Sequence, residues 1–247
     1  MTYIHDFLSY TIKFNIFWVI CIAILYIVIH NYRHNAINRF LDIYLNYIPV
    51  LTHEFGHILF NKISNGKAKD LVIVASPTER ANTSQQGYAI TQSKGRLGQA
   101  ITTFGGYVMP PLMLLIGFTA IQSTYPSLFI AAYLIIFIYF FILTSRKVLP
   151  TLIILILILI LYSLFHSDNQ FMMTYIITFT YHFIVGVLLG EVLQSSWTIG
   201  RLTFSPHTVT WDGSTLKELT HIPTTVFSLI WIFFNLFIVY LLFTNYF

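Results

Sequence analysis

Long apolar runs separated by short polar interruptions dominate this chain. No charged residue occurs between Leu97 and Ser145, between Val148 and Ser167, or between Ile222 and Phe247. A helix needs roughly 20 apolar residues to cross a bilayer, and runs of this length suffice. The pattern predicts apolar helices near 14–30, 43–62, 98–121, 127–145, 148–165, 172–191 and 222–245. Two stretches break it. Asn61 to Arg96 gathers Lys62, Lys67, Lys69, Asp70, Glu79, Arg80, Lys94 and Arg96. Within it, 71–74 and 88–91 have strand composition, with turn-forming residues between them. A second polar stretch, Ser195 to His221, separates the last two helices. The expected architecture is an all-α polytopic membrane protein of about six to seven transmembrane helices. It forms a single integral membrane domain over 1–247, with a small β-hairpin insertion in the loop 61–96 that follows the helix 43–62.

Composition sharpens this picture. Of 247 residues, 56% are hydrophobic and 9% charged, whereas a soluble domain carries about a quarter charged residues. Mean hydropathy is +0.73. The formal charge of +4 is small and spread over short loops, so nothing points to nucleic acid. Loop Lys and Arg instead set orientation. Placing Asn61–Arg96 in the cytoplasm puts Lys13, Arg146, Lys147, Arg201 and Lys217 on the same side by alternation. Arg33 and Arg39 are then exceptions on the outer side. The expected location is a plasma membrane, bacterial by the richness in Ile, Asn, Tyr and Phe, with the N-terminus cytoplasmic. No small-x-small cleavage site follows the run 14–30, so it reads as a retained helix. Cys21 is the sole cysteine, which excludes an intramolecular disulfide and a thiolate metal cluster.

The residues that carry chemistry lie inside an apolar helix: His53-Glu54-Phe55-Gly56-His57. Positions i and i+4 share a helix face one turn apart, so both imidazoles can converge on one ion. Imidazole nitrogen suits Zn²⁺, and a catalytic zinc site takes a third protein ligand and keeps one position open for water. Glu54 follows the first histidine directly, where its carboxylate can act as general base toward that water. Two His and a Glu in apolar sequence are costly in a bilayer unless paired, liganded or wet. The alternative is a packing or proton-relay helix whose histidines bond to neighbours. Pro49, one turn earlier, predicts a bend. Gly56 either bares the helix surface to a substrate or lets another helix approach.

The segment Pro49-Val50-Leu51-Thr52-His53-Glu54-Phe55-Gly56-His57 resembles the active-site helix of the site-2 protease family of intramembrane zinc metalloproteases, and most closely its peptidase M50B-like branch. The likeness extends through Gly87-Tyr88-Ala89-Ile90-Thr91, Gly105-Gly106-Tyr107-Val108-Met109-Pro110-Pro111 and the block Trp211 to Pro223, with Trp231 beyond. It covers most of the chain after Asn46. The resemblance implies that His53, His57 and Asp212 bind zinc, with Asp212-Gly213 at the position of the family's third ligand, and that Glu54 is catalytic. It implies a membrane-protein or transmembrane-peptide substrate, reached from the cytoplasmic side of the lipid bilayer. Asp212 lacks the family's usual preceding Asn and also fits a helix N-cap. Glu191, His182 and His207 are its rivals; Asp168 falls on the outer side and is set aside. Gly105 and Gly106 face either a substrate or another helix, and with Pro110 and Pro111 they interrupt an apolar helix. A non-proteolytic metal-binding membrane protein, either a pseudo-protease or a transporter, is the competing function. A transporter would be expected to show internal repeats and several ionisable groups along a path, and a pseudo-protease to have lost Glu54 or a histidine.

Overall fold

The computed structural model describes residue 5 and residues 7–166, 170–205 and 210–246. It is an all-α membrane protein with one small antiparallel sheet. In chain order the elements are α1 (Ile16–Asn31), α2 (Ala36–Leu45), α3 (Tyr47–Ile63), β1 (Lys67–Ile73), α4 (Pro77–Thr83), β2 (Gly87–Gln92), α5 (Gly95–Ala120), α6 (Leu128–Leu143), α7 (Val148–His166), α8 (Gln170–Thr203), α9 (Asp212–Thr220) and α10 (Thr224–Tyr246). Helices α5, α8 and α10 are long and apolar enough to cross a membrane; α1, α6 and α7 are apolar but shorter.

Three elements depart from the sequence pattern for physical reasons. The run expected as one helix over 43–62 is two, α2 and α3, parted at Asn46. Pro49 has no N–H for the carbonyl of Leu45, four residues back, and its ring crowds that carbonyl. The break therefore falls at Leu45/Asn46, and α3 itself runs unbroken past the proline. Helix α8 continues well beyond Glu191, through residues expected to begin a polar segment. Its hydroxyls bond along their own helix: Ser195 and Ser196 Oγ donate to Val192 O, and Thr203 Oγ1 to Ile199 O. Self-satisfied in this way, they tolerate apolar surroundings. The third departure is α4, a two-turn helix inside the hairpin connection, begun by Ser76 as N-cap and Pro77. In α5 the helix runs through Pro110 and Pro111 without interruption.

Small residues set the closest helix contacts. On α8, a Cβ at Gly186 would meet Ile22 Cβ at 2.6 Å, and one at Gly190 would meet Tyr26 Cδ1 at 2.6 Å. These two glycines seat α1 against α8. The main core lies between α3, α5, α6 and α8, around Leu51, Leu114, Tyr133, Tyr181 and Leu188. Thr52 Oγ1 lies 3.0 Å from Tyr133 Oη, and Tyr181 Oη donates to Gly117 O at 2.5 Å.

The hairpin retraces α3. Its open end sits at the end of α3, where Asn61 Nδ2 donates to Ser93 Oγ at 2.9 Å. Its other end, the pair Ile73↔Gly87, lies against Val50 and Glu54. A register shift between Ala68 and Asp70 frees the Asp70 carboxylate to accept from the N–H and Oγ of Ser145, at 2.8 and 2.6 Å. The connection between the strands is pinned twice. Arg146 forks onto Glu79 with two bonds of 2.7 Å, and Arg80 Nη1 stands 3.8 Å from Asp42 Oδ2.

That last contact bears on the helix-by-helix alternation of sides. Arg33 and Arg39 were expected on the face opposite Arg80. Instead, Asp42 of α2 meets Arg80, and Arg33 is close enough to Arg80 to depress its pKa, although burial contributes more. The chain before α3 and the chain after it gather at the same end of the bundle, because the hairpin folds back along the helix.

Candidate metal centre

Helices α3 and α5 are antiparallel and nearly in backbone contact. A Cβ on Gly56 would come 2.5 Å from Gly105 O and 2.7 Å from Met109 Cβ, and Gly105 is itself covered by the Phe60 ring. Both glycines serve helix packing and leave no room for a substrate beside them. Gly106 differs. A Cβ there would lie 2.5 Å from His57 Nε2 and 2.7 Å from His53 Nε2, so its bare Cα forms one wall of the site.

His53 and His57 lie one turn apart on α3, with their Nε2 atoms 3.2 Å from each other. His57 Nδ1 is 2.9 Å from Thr102 O. The ring N–H donates to that carbonyl, which fixes the tautomer and turns the Nε2 lone pair inward. The His53 ring stands edge-on to Tyr107, with centroids 4.7 Å apart. Asp212 closes the group from the far end of the chain. Its Oδ2 is 3.3 Å from His53 Nε2 and 3.5 Å from His57 Nε2. That oxygen is buried without a hydrogen-bond partner among the described residues.

Asp212 is not a helix cap. Trp211 is the N-cap of α9: its N–H donates to Ser214 Oγ at 2.9 Å, and Ser214 Oγ donates back to Trp211 O at 2.7 Å. Asp212 is the first helical residue, where the positive end of the helix favours a carboxylate. An aromatic wall holds it there. Tyr107 and Trp211 both pack on Trp231, at 4.8 and 6.1 Å between centroids. The glycine of Asp212-Gly213 is needed for this seat, since a Cβ on Gly213 would meet Trp211 Cη2 at 2.5 Å. Sequence reasoning did not find Thr102 or Tyr107. Thr102 acts through a backbone carbonyl, which no side-chain pattern marks.

Glu54 is buried on α3 beside the start of β2. With His53 and Asp212 it lines a cavity of about 580 Å³, which the connection residues Ser84–Gln86 also border. The ligand atoms of His53, His57 and Asp212 all fall within 4.8 Å of one another, close enough to share one ion. Two neutral imidazoles and a carboxylate form a donor set that zinc accepts.

The family model described as Peptidase M50B-like matches residues 17–242. The chain belongs to that family. No curated protein and no solved structure matches it.

Membership makes the chain a membrane protein of a peptidase family whose members are zinc metalloproteases. In this M50B-like chain two rivals of Asp212, Glu191 and His182, have partners outside the three-residue group. Glu191 Oε2 contacts the Tyr26 hydroxyl and stays outside the three-residue group. His182 accepts from the N–H of Asn15 at 2.8 Å, has Nδ1 2.7 Å from Thr178 O, and stacks on Phe14. His207 and Asp168 lie outside the described residues.

Proposed function

We propose that this chain is an intramembrane zinc metallopeptidase that hydrolyses peptide bonds of membrane-embedded substrates. One observation carries the reading: His53 Nε2, His57 Nε2 and Asp212 Oδ2 converge inside an apolar bundle, the last without a hydrogen-bond partner among the described residues. Acceptor atoms gathered in this way need a cation between them. His53, His57 and Asp212 hold the zinc, which when bound supplies a Lewis acid and lowers the pKa of a water to roughly 7.

The remaining steps belong to the chain's own residues. Glu54, bordering the same cavity as His53, takes the proton of the attacking water and delivers it to the leaving amine. Thr102 O keeps His57 in the tautomer that offers Nε2. Gly106 leaves space beside both imidazoles. A helical substrate segment must unwind first, because its carbonyls are hydrogen-bonded and shielded. The hairpin supports that step: β1 and β2 pair only with each other among the described residues, and an extended segment can add to such an edge. The cavity is bordered by Arg33, at the end of the bundle that also gathers Arg80 and Arg146. By the bias of basic residues that end is cytoplasmic in a plasma membrane.

The test uses protein purified in detergent without chelators. Native chain and Glu54→Gln are each expected to carry near one zinc. Cleavage of single-pass transmembrane peptides should fall about 10²- to 10⁴-fold in Glu54→Gln. A native chain free of zinc overturns the metal site, and full cleavage by Glu54→Gln overturns the assignment of the base.

A further inference from the structure

Glu191 is an acid with no assigned work and an unusual setting. It lies on α8 in the contact with α1, beside Gly190, whose missing side chain admits the Tyr26 ring. The Tyr26 hydroxyl reaches both Glu191 Oε2 and Asn46 Oδ1, so one carboxylate oxygen is fixed in place. Glu191 Oε1 has no hydrogen-bond partner among the described residues, and the side chain borders the same cavity as His53, Glu54 and Asp212. Asp42, a buried acid nearby, is by contrast faced by His30 and Arg80. Glu191 makes no ion pair among the described residues, and the two arginines that border the cavity, Arg33 and Arg201, are exposed. A carboxylate in an apolar bundle with no ion-pair partner among the described residues, and only His30 and His53 near it, is costly until a further cation reaches it.

We infer that Glu191 is a specificity-determining residue, which receives the ammonium or guanidinium group of a substrate side chain flanking the scissile bond. This rests on the peptidase reading above. Tyr26 is the positioning residue: it holds Oε2 and so fixes the carboxyl group at the border of the cavity. Lysine and arginine side chains also suit a membrane-embedded substrate, because their long apolar stems can cross lipid-facing surface while the charged head lies in a wet cavity. A Glu191 that stays protonated would serve only as a hydrogen-bonding member of the Tyr26 network, and Gln would replace it silently.

Fluorescent single-pass peptides with a polar centre, in which lysine, norleucine or glutamate is scanned through the central positions, distinguish these cases. Binding is measured on Glu54→Gln, which cannot turn them over, and cleavage on the native chain. At the best position, lysine is expected to bind about tenfold or more tighter than norleucine, and glutamate weaker than both. In Glu54→Gln/Glu191→Gln the lysine preference should shrink to about twofold or less, with zinc content and melting temperature unchanged. Tyr26→Phe should weaken the preference without abolishing it. Binding without lysine preference, no binding of any peptide, or a preference that survives Glu191→Gln overturns the inference. Cleavage without the preference sinks this subsite alone. A lysine preference with no cleavage by the zinc-loaded native chain instead sinks the peptidase reading and leaves the subsite standing.

Discussion

The cavity is flanked by two polar clusters built on opposite plans. On one side, His30, Asp42, Asn46 and Tyr26 satisfy one another. Asp42 Oδ1 lies 2.6 Å from Asn46 Nδ2 and 2.9 Å from His30 Nδ1, while its Oδ2 faces Arg80. Among these four residues donors meet acceptors, and the Arg80 guanidinium stands 3.8 Å away as a counter-charge without a hydrogen bond from Nη1 or Nη2 among the described residues. On the other side, His53, His57 and Asp212 bring two imidazole nitrogens and a carboxylate oxygen to within 3.2–3.5 Å of one another. Both clusters contain His and Asp within an apolar bundle, so residue type does not separate them. What separates them is the balance of donors. A closed set suits holding the fold, whereas two imidazoles and a carboxylate within reach of one another suit a metal ion.

The contrast can be broken most decisively at the acceptor set. His57→Ala or Asp212→Ala should lower zinc affinity by about a hundredfold or more, which metal analysis after gel filtration reads directly. Neither substitution should cost much stability in the zinc-free chain; a large loss in melting temperature there would show that the triad holds the fold after all. Asp42→Ala is the mirror experiment. It strands Arg80 and His30 and is expected to destabilise by about 3–5 kcal/mol in thermal unfolding, with zinc stoichiometry intact. Loss of zinc without loss of stability would erase the distinction between the clusters.

Smaller effects sharpen it. Gly106→Ala puts a methyl group against both Nε2 atoms and should weaken zinc about tenfold. Gly56→Ala pushes on the Gly105 carbonyl and should cost about 1–3 kcal/mol of stability. The pair separates wall from packing within one helix interface. The smallest effect is acid release of the hairpin connection. The bidentate Arg146 bond holds the Glu79 carboxyl below its ordinary value. A depressed acid stabilises the fold above its unfolded pKa of about 4.3, and that contribution is lost as pH falls through the lower folded value. Protease nicking between Val74 and Gln86 should therefore rise below about pH 4 in the native chain. In Arg146→Gln it should already be raised at neutral pH.

The two clusters also differ in how legible they were. His53, Glu54 and His57 announce themselves because a helix fixes i and i+4 on one face, whatever surrounds them. Asp212 could be named only through family resemblance. Its position depends on the aromatic seat made by Tyr107, Trp211 and Trp231, which come from three elements. The closed cluster was invisible. It requires the Leu45/Asn46 break, the fold-back of the hairpin that brings Arg80 to Asp42, and the glycine register of α1 on α8. The apolar helices were read to within a few residues save at the break between α2 and α3 and at α8, where hydroxyls bonded to their own helix imitate a loop in composition.

More than half of the chain lies between His57 and Asp212. The motif helix is made early and Asp212 late, so a growing chain carries both histidines long before the carboxylate that joins them. Only when α9 has docked on its aromatic seat do His53, His57 and Asp212 come within reach of one another. The group is therefore completed by the packing of the last helices, not by the motif alone.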